Sequence, residues 1–102
     1  KELFFTGRRI QSSEALALGI FNQVVEDAAF PQAVTELASQ IASGPPIALG
    51  YMKENINSAI ESSLQNNLAR EADRLMRCAA TDDHKEAVAA FMEKRPPVFT
   101  GK

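Results

Sequence analysis

Tryptophan is absent from this chain, and cysteine, histidine and tyrosine occur once each. A single cysteine, Cys78, excludes an intrachain disulfide and any cysteine-built metal cluster. It suits a reducing compartment, and a cytoplasmic location is the expectation. A single histidine, His84, leaves no histidine metal pair and weak support for a Ser-His-Asp triad, so no metal is expected. No apolar run reaches membrane-spanning length, and there is no signal-peptide pattern. No Gly-rich phosphate cradle, internal repeat or low-complexity segment is present. The net charge of -2 gives no electrostatic reason to expect nucleic acid or an anionic membrane as a partner.

What the chain does have is helical patterning. At 102 residues it is one domain or a piece of one, and its start at Lys1 allows processing or a fragment. Lys1 to Phe5 reads as a strand or a last helical turn, with Gly7 as the stop. Ser12 and Ser13 are candidate N-caps of a short helix, Glu14 suits its first turn, and Gly19 is placed to end it. Gln23-Val24-Val25 is the one strand candidate, and no second strand clearly pairs with it. Pro31 opens a helix bearing Ala33, Val34, Leu37, Ala38, Ile41 and Ala42. Gly44-Pro45-Pro46 breaks it. The next helix starts near Pro46 and reaches Ile60. A third places Ile60, Leu64, Leu68, Ala72, Leu75 and Met76 on one stripe. Ser62 and Ser63 are candidate caps for it, the pattern also allows one helix running straight through from the previous one, and a break at the serines is the expectation. Asp82 or Asp83 caps the last helix, which runs from about Asp83 to Lys94, and Asp83 with Glu86 has capping-box spacing. Val88, Phe91 and Met92 are expected to face inward, and Pro96-Pro97 ends the helix. The total is four or five helices.

The candidates for chemistry are few. His84 reads as a solvated first-turn histidine. Glu71 and Asp73 stand two apart and share no helix face, so they make a poor acid/base pair. Glu86 and Glu93 read as a solvated face. Arg8-Arg9 is a two-residue basic patch that can touch a phosphate. Cys78 reads as a small buried apolar residue, and Met52, Met76 and Met92 as core. Phe91 and Lys94 are different, because three residues apart they share one helix face. An aromatic ring beside an ammonium can hold a flat base and a phosphate. The alternative is that Phe91 is core and Lys94 a C-terminal dipole partner.

The order of several segments resembles the enoyl-CoA hydratase/isomerase (crotonase) family over nearly the whole chain. Phe5-Thr6-Gly7-Arg8-Arg9-Ile10 resembles the segment after that family's core helix. Ser13 to Ile20, then Asn22-Gln23-Val24-Val25, resembles its short helix and strand. Ala42 to Leu49 with Lys53 resembles the next junction. Thr81-Asp82-Asp83 and Phe91-Met92-Glu93-Lys94-Arg95, with Pro97, Phe99 and Gly101, resemble its ending. Ala87 departs from it, since the family often has glycine after the glutamate.

The resemblance implies a mainly α fold: the helical C-terminal trimerisation region of the crotonase fold, with at most one short strand pair. Residues 1–29 would be the end of the spiral-core connection, with a short helix and strand, and 30–102 the helical C-terminal domain. The family acts on acyl-CoA thioesters through an oxyanion hole and one or two glutamates carried by the ββα core. No residue here inherits a catalytic role, and this chain alone is expected to be inactive. What carries over is a coenzyme A contact near the adenosine phosphate end by Phe91 and Lys94, with Leu75 lining the same region. The expected partners are an acyl-CoA substrate and further copies of the chain, as a trimer or dimer of trimers, with no tightly bound cofactor. The whole protein would hydrate 2-enoyl-CoA thioesters. The alternatives are an enoyl-CoA isomerase, or a non-catalytic helical interaction module.

Overall fold

Local signals set most helix boundaries in the computed structural model, which describes residues 1–102 and contains six α-helices and no strand. The chain divides into two units, Lys1–Leu37 and Ala38–Lys102.

In the first unit, α1 (Glu2–Thr6) settles the ambiguous opening segment as helix. It closes on Gly7, whose left-handed φ of 61° lets its N–H reach the Leu3 carbonyl. The second helix, α2 (Ser12–Ala17), begins after Gln11 and has no side-chain cap. Ser12 and Ser13 are therefore inside the first turn and do not cap it. Acidic Glu14 in that turn supports the helix start instead. The end of α2 is as expected: Gly19 donates to Leu16 O and Ile20 to Ala15 O, a Schellman pair of bonds around a left-handed glycine.

The expected strand at Gln23-Val24-Val25 does not form. A strand needs a partner edge for its backbone groups, and no segment of the chain supplies one. These residues instead line an apolar cavity of about 460 Å³ with Phe21, Phe30 and Val34. A 3-10 turn (Asp27–Ala29) leads into α3 (Phe30–Ala42).

The second unit contains α4 (Pro46–Ala59), α5 (Leu64–Ala79) and α6 (Asp82–Glu93). Pro46 takes the first position of α4, where its missing N–H costs nothing. Ser63 caps α5 by accepting the Asn66 N–H. The break before α5 leaves Ile60 as the residue closing α4, so it is not part of the α5 stripe. Polar contacts join α4 to α5. Arg74 pairs with Glu54 at 2.9 Å and lies over the Tyr51 ring, 4.5 Å from its centroid. The Ser58 hydroxyl donates to Asn67 Oδ1. The count of six helices exceeds the expected four or five because the ambiguous opening segment, Glu2–Thr6, is a helix as well.

The apolar stripes are present but uncovered. The accessible surface is 8611 Å². Folded monomers of this mass expose about 5,700 Å² by the usual scaling. Ala15 and Ala90 are the only buried apolar residues. Val88, Phe91 and Met92, expected to face inward, are exposed, as are Met52 and Met76. Helical periodicity marks a face for covering, but no element within residues 1–102 lies over these. Cys78 is half-buried and not enclosed.

Candidate functional site

The last helix and the tail that follows it are joined by a set of polar contacts. Its N-cap is Thr81, whose hydroxyl oxygen accepts the His84 N–H at 3.1 Å. The cap therefore precedes the expected Asp82 or Asp83. That leaves Asp83, 3% exposed, free to accept the Thr100 N–H at 2.7 Å and the Gly101 N–H at 2.9 Å. A carboxylate this buried has to be hydrogen-bonded, and two tail amides do it. In return, the Asp82 and Asp83 N–H groups donate to the Lys102 carbonyl. Gly101 is required here: its φ is +76°, and a Cβ would lie 2.9 Å from Pro46 Cγ. His84 is exposed, as expected, at the edge of a small cavity of about 100 Å³ that Cys78 and Phe99 also line.

The other end of α6 stops before the prolines. Lys94 adopts φ 55° and ψ 39° and is the only non-glycine residue with positive φ. Its N–H donates to Phe91 O and that of Arg95 to Ala90 O, a Schellman arrangement closed by a lysine in place of glycine. Left-handed backbone costs an ordinary residue about 1–2 kcal/mol, so neighbouring contacts must hold it.

Those contacts centre on Glu86. Arg95 grips its carboxylate with two N–H groups, at 2.5 and 2.9 Å. The Val98 N–H adds a third bond at 2.9 Å. Glu93 accepts from Arg95 Nε at 2.6 Å. The Arg95 guanidinium first, and the Val98 amide second, hold the Glu86 carboxyl down to about 2. The same bonds, to Glu86 and then Glu93, push Arg95 upward. Glu86 is thus neither the capping-box partner of Asp83 nor part of a merely solvated face, and Glu93 is likewise engaged. The reason is long-range pairing: Arg95 is nine residues from Glu86, outside any helical spacing.

Phe91 lies in the last turn of α6, whereas Lys94 stands just past its end with left-handed backbone, so the two do not share the helix face that their spacing predicts. Phe91 is 82% exposed. Lys94 is exposed and takes part in none of the chain's ion pairs. Leu75 lies on α5, 67% exposed, and no hydrogen bond or cavity lining joins it to the other two. Arg8, a candidate phosphate contact, is consumed by Glu2 and Glu14, each at 2.6 Å. Asp73 pairs with Arg77 at 2.8 Å on the α5 surface. Asp83, Glu86 and Arg95 escaped sequence reasoning as an organised set. The available signal was the run of tail residues whose amides need acceptors once the prolines end the helix.

The enoyl-CoA hydratase/isomerase family model matches residues 1–102. A short-chain-enoyl-CoA hydratase of Clostridium acetobutylicum is 37% identical over 93% of this chain and 36% of its own length. A 1,2-epoxyphenylacetyl-CoA isomerase of Escherichia coli is 35% identical over 98% of this chain and 38% of its own length. The crystal structure of an enoyl-CoA hydratase from Bacillus anthracis superposes with a TM-score of 0.94 at 37% identity, covering all of this chain and 40% of that one. The chain therefore spans about two fifths of the length of these relatives. The match to that solved structure fits a helical C-terminal region of the crotonase fold. The whole-length family match and the near-superposable backbone together assign the chain: it belongs to the enoyl-CoA hydratase/isomerase family.

Proposed function

We propose that this chain is the oligomerisation and CoA-covering region of an acyl-CoA enzyme that adds water to 2-enoyl-CoA thioesters. In this reading, residues 1–29 are the end of the connection from the spiral core, and 30–102 form the helical domain. Phe91 and Lys94 meet the adenosine phosphate end of coenzyme A, with Leu75 lining the same region. The observation that carries the reading is the contrast between neighbouring cations. Arg95 is fully committed to Glu86 and Glu93, whereas Lys94 is unpaired and exposed, three residues after the exposed ring of Phe91. A planar base and an anion are what such a pair suits.

The uncovered stripes on α5 and α6 support packing against further copies of the chain, in a trimer or dimer of trimers, or against other parts of the same enzyme. Coenzyme A enters as part of the substrate, and no tightly bound cofactor is needed. The free Cys78 suits a cytoplasmic enzyme. An isomerase acting on an acyl-CoA is the second reading, favoured by the similarity to the Escherichia coli enzyme.

The test uses the full-length protein that carries residues 1–102. Crotonyl-CoA should lose its enoyl absorbance as 3-hydroxybutyryl-CoA forms. Double-bond migration without water uptake would establish the isomerase reading in its place. Failure to bind any CoA thioester would sink both.

A further inference from the structure

We propose that Glu86 is a positioning residue for Lys94, setting the direction in which the ammonium leaves the end of α6. This rests on the coenzyme A reading above. Five bonds carry the inference. Arg95, the residue after Lys94, is held to the Glu86 carboxylate by two bonds and to Glu93 by one. Val98, beyond the prolines, donates its amide to the same Glu86 oxygen that Arg95 Nη1 contacts. On the other side, the Lys94 amide is tied to Phe91 O. The single left-handed non-glycine residue of the chain is therefore clamped both before and after. A residue that pays for such a backbone is held there by its surroundings, and sites where that happens are often ligand contacts. The clamp also separates two adjacent cations. Arg95 is neutralised along the helix flank, and Lys94 is left to project alone.

Pre-organisation of this kind changes apparent affinity through the fraction of molecules in the competent backbone state. Lys94→Ala removes the contact altogether, and its expected loss of about fivefold sets the ceiling. If Glu86→Gln lowers the competent fraction to about one third, the Kd for CoA rises about threefold.

The experiment uses the full-length protein and CoA as probe, with four forms: wild type, Glu86→Gln, Lys94→Ala and the double variant. Glu86→Gln should weaken CoA binding about threefold in the wild type and leave the Lys94→Ala background unchanged. KM should rise while kcat holds. Hydrogen exchange gives a readout independent of CoA: the Lys94, Arg95 and Val98 amides should exchange faster in Glu86→Gln, while those of Val88 to Ala90 stay protected. Arg95→Gln serves as the second variant should Glu86→Gln fold poorly, since it removes the guanidinium and keeps the Val98 bond. Equal affinity losses in both backgrounds, or unchanged exchange at Lys94 and Arg95, would overturn the positioning role. If Lys94→Ala leaves CoA affinity intact, the coenzyme A reading fails by itself, and the exchange result still decides whether Glu86 holds the Lys94 backbone.

Discussion

Replacing Lys94 by alanine separates a ligand contact from a helix-end charge. The ammonium is exposed and unpaired, so its attraction to a phosphate acts through solvent. Two unit charges about 4 Å apart in water attract by about 1 kcal/mol. A phosphate carries more than one charge, but screening within about 8 Å at physiological salt offsets the gain. A loss of about 1 kcal/mol follows, between a weak surface pair and a charge-assisted hydrogen bond. That is about fivefold in affinity. Such a contact would be equally present in ground and transition states, so KM should rise and kcat should hold. The assay compares crotonyl-CoA with its 3′-dephospho analogue in the full-length protein, at low and high salt. The loss should be present with the first ligand, reduced with the second, and smaller at high salt. Equal losses with both ligands would refute the phosphate contact and leave Lys94 as a helix-end partner only.

Lys94→Gly should weaken CoA binding as Lys94→Ala does. It should also stabilise the protein by about 0.5–1 kcal/mol in thermal or urea unfolding, because glycine occupies left-handed backbone without steric cost and repays only chain entropy. Asp83→Ala should destabilise by about 2–3 kcal/mol, since it strands the Thr100 and Gly101 amides beside a buried site, and limited proteolysis should then cut the tail first. Glu86 gives a pH signature. Its carboxyl lies at about 2 in the folded chain against an ordinary 4.5, so its stabilisation is complete above 4.5 and is lost as the pH falls towards 2. Exchange protection at the Val98 amide should fall across that window, and Glu86→Gln should abolish the pH dependence.

The parts of the fold that were legible in the sequence are those decided within a few residues. Gly19 ends α2, Pro46 starts α4 and Ser63 caps α5 because each acts on backbone groups one to three positions away. Local sequence does not separate Thr81 from Asp82 or Asp83 as the cap, because all three can cap. The choice is made by Thr100 and Gly101, seventeen and eighteen residues downstream, which claim the Asp83 carboxylate. The role of Glu86 is hidden for the same reason, since its partners Arg95 and Val98 lie past the end of the helix. Gln23 to Val25 show the converse: strand propensity without a partner edge gives no strand.

The apolar stripes need a different explanation. Period 3.6 reports that one face of α5 and α6 is made for burial, and it cannot say by what. Leu68, Leu75, Val88 and Phe91 all satisfy the pattern and all remain exposed. For most of them, the proposed packing against the rest of the protein or a further copy would account for the exposure. Phe91 differs, because its neighbour Lys94 is held out of the helix by a clamp of charged groups that a packing surface alone would not require. A backbone penalty of about 1–2 kcal/mol is maintained there, where a glycine would have avoided it. Under the proposed reading the lysine side chain is what offsets that penalty, and the clamp on Arg95 sets the direction in which it leaves α6.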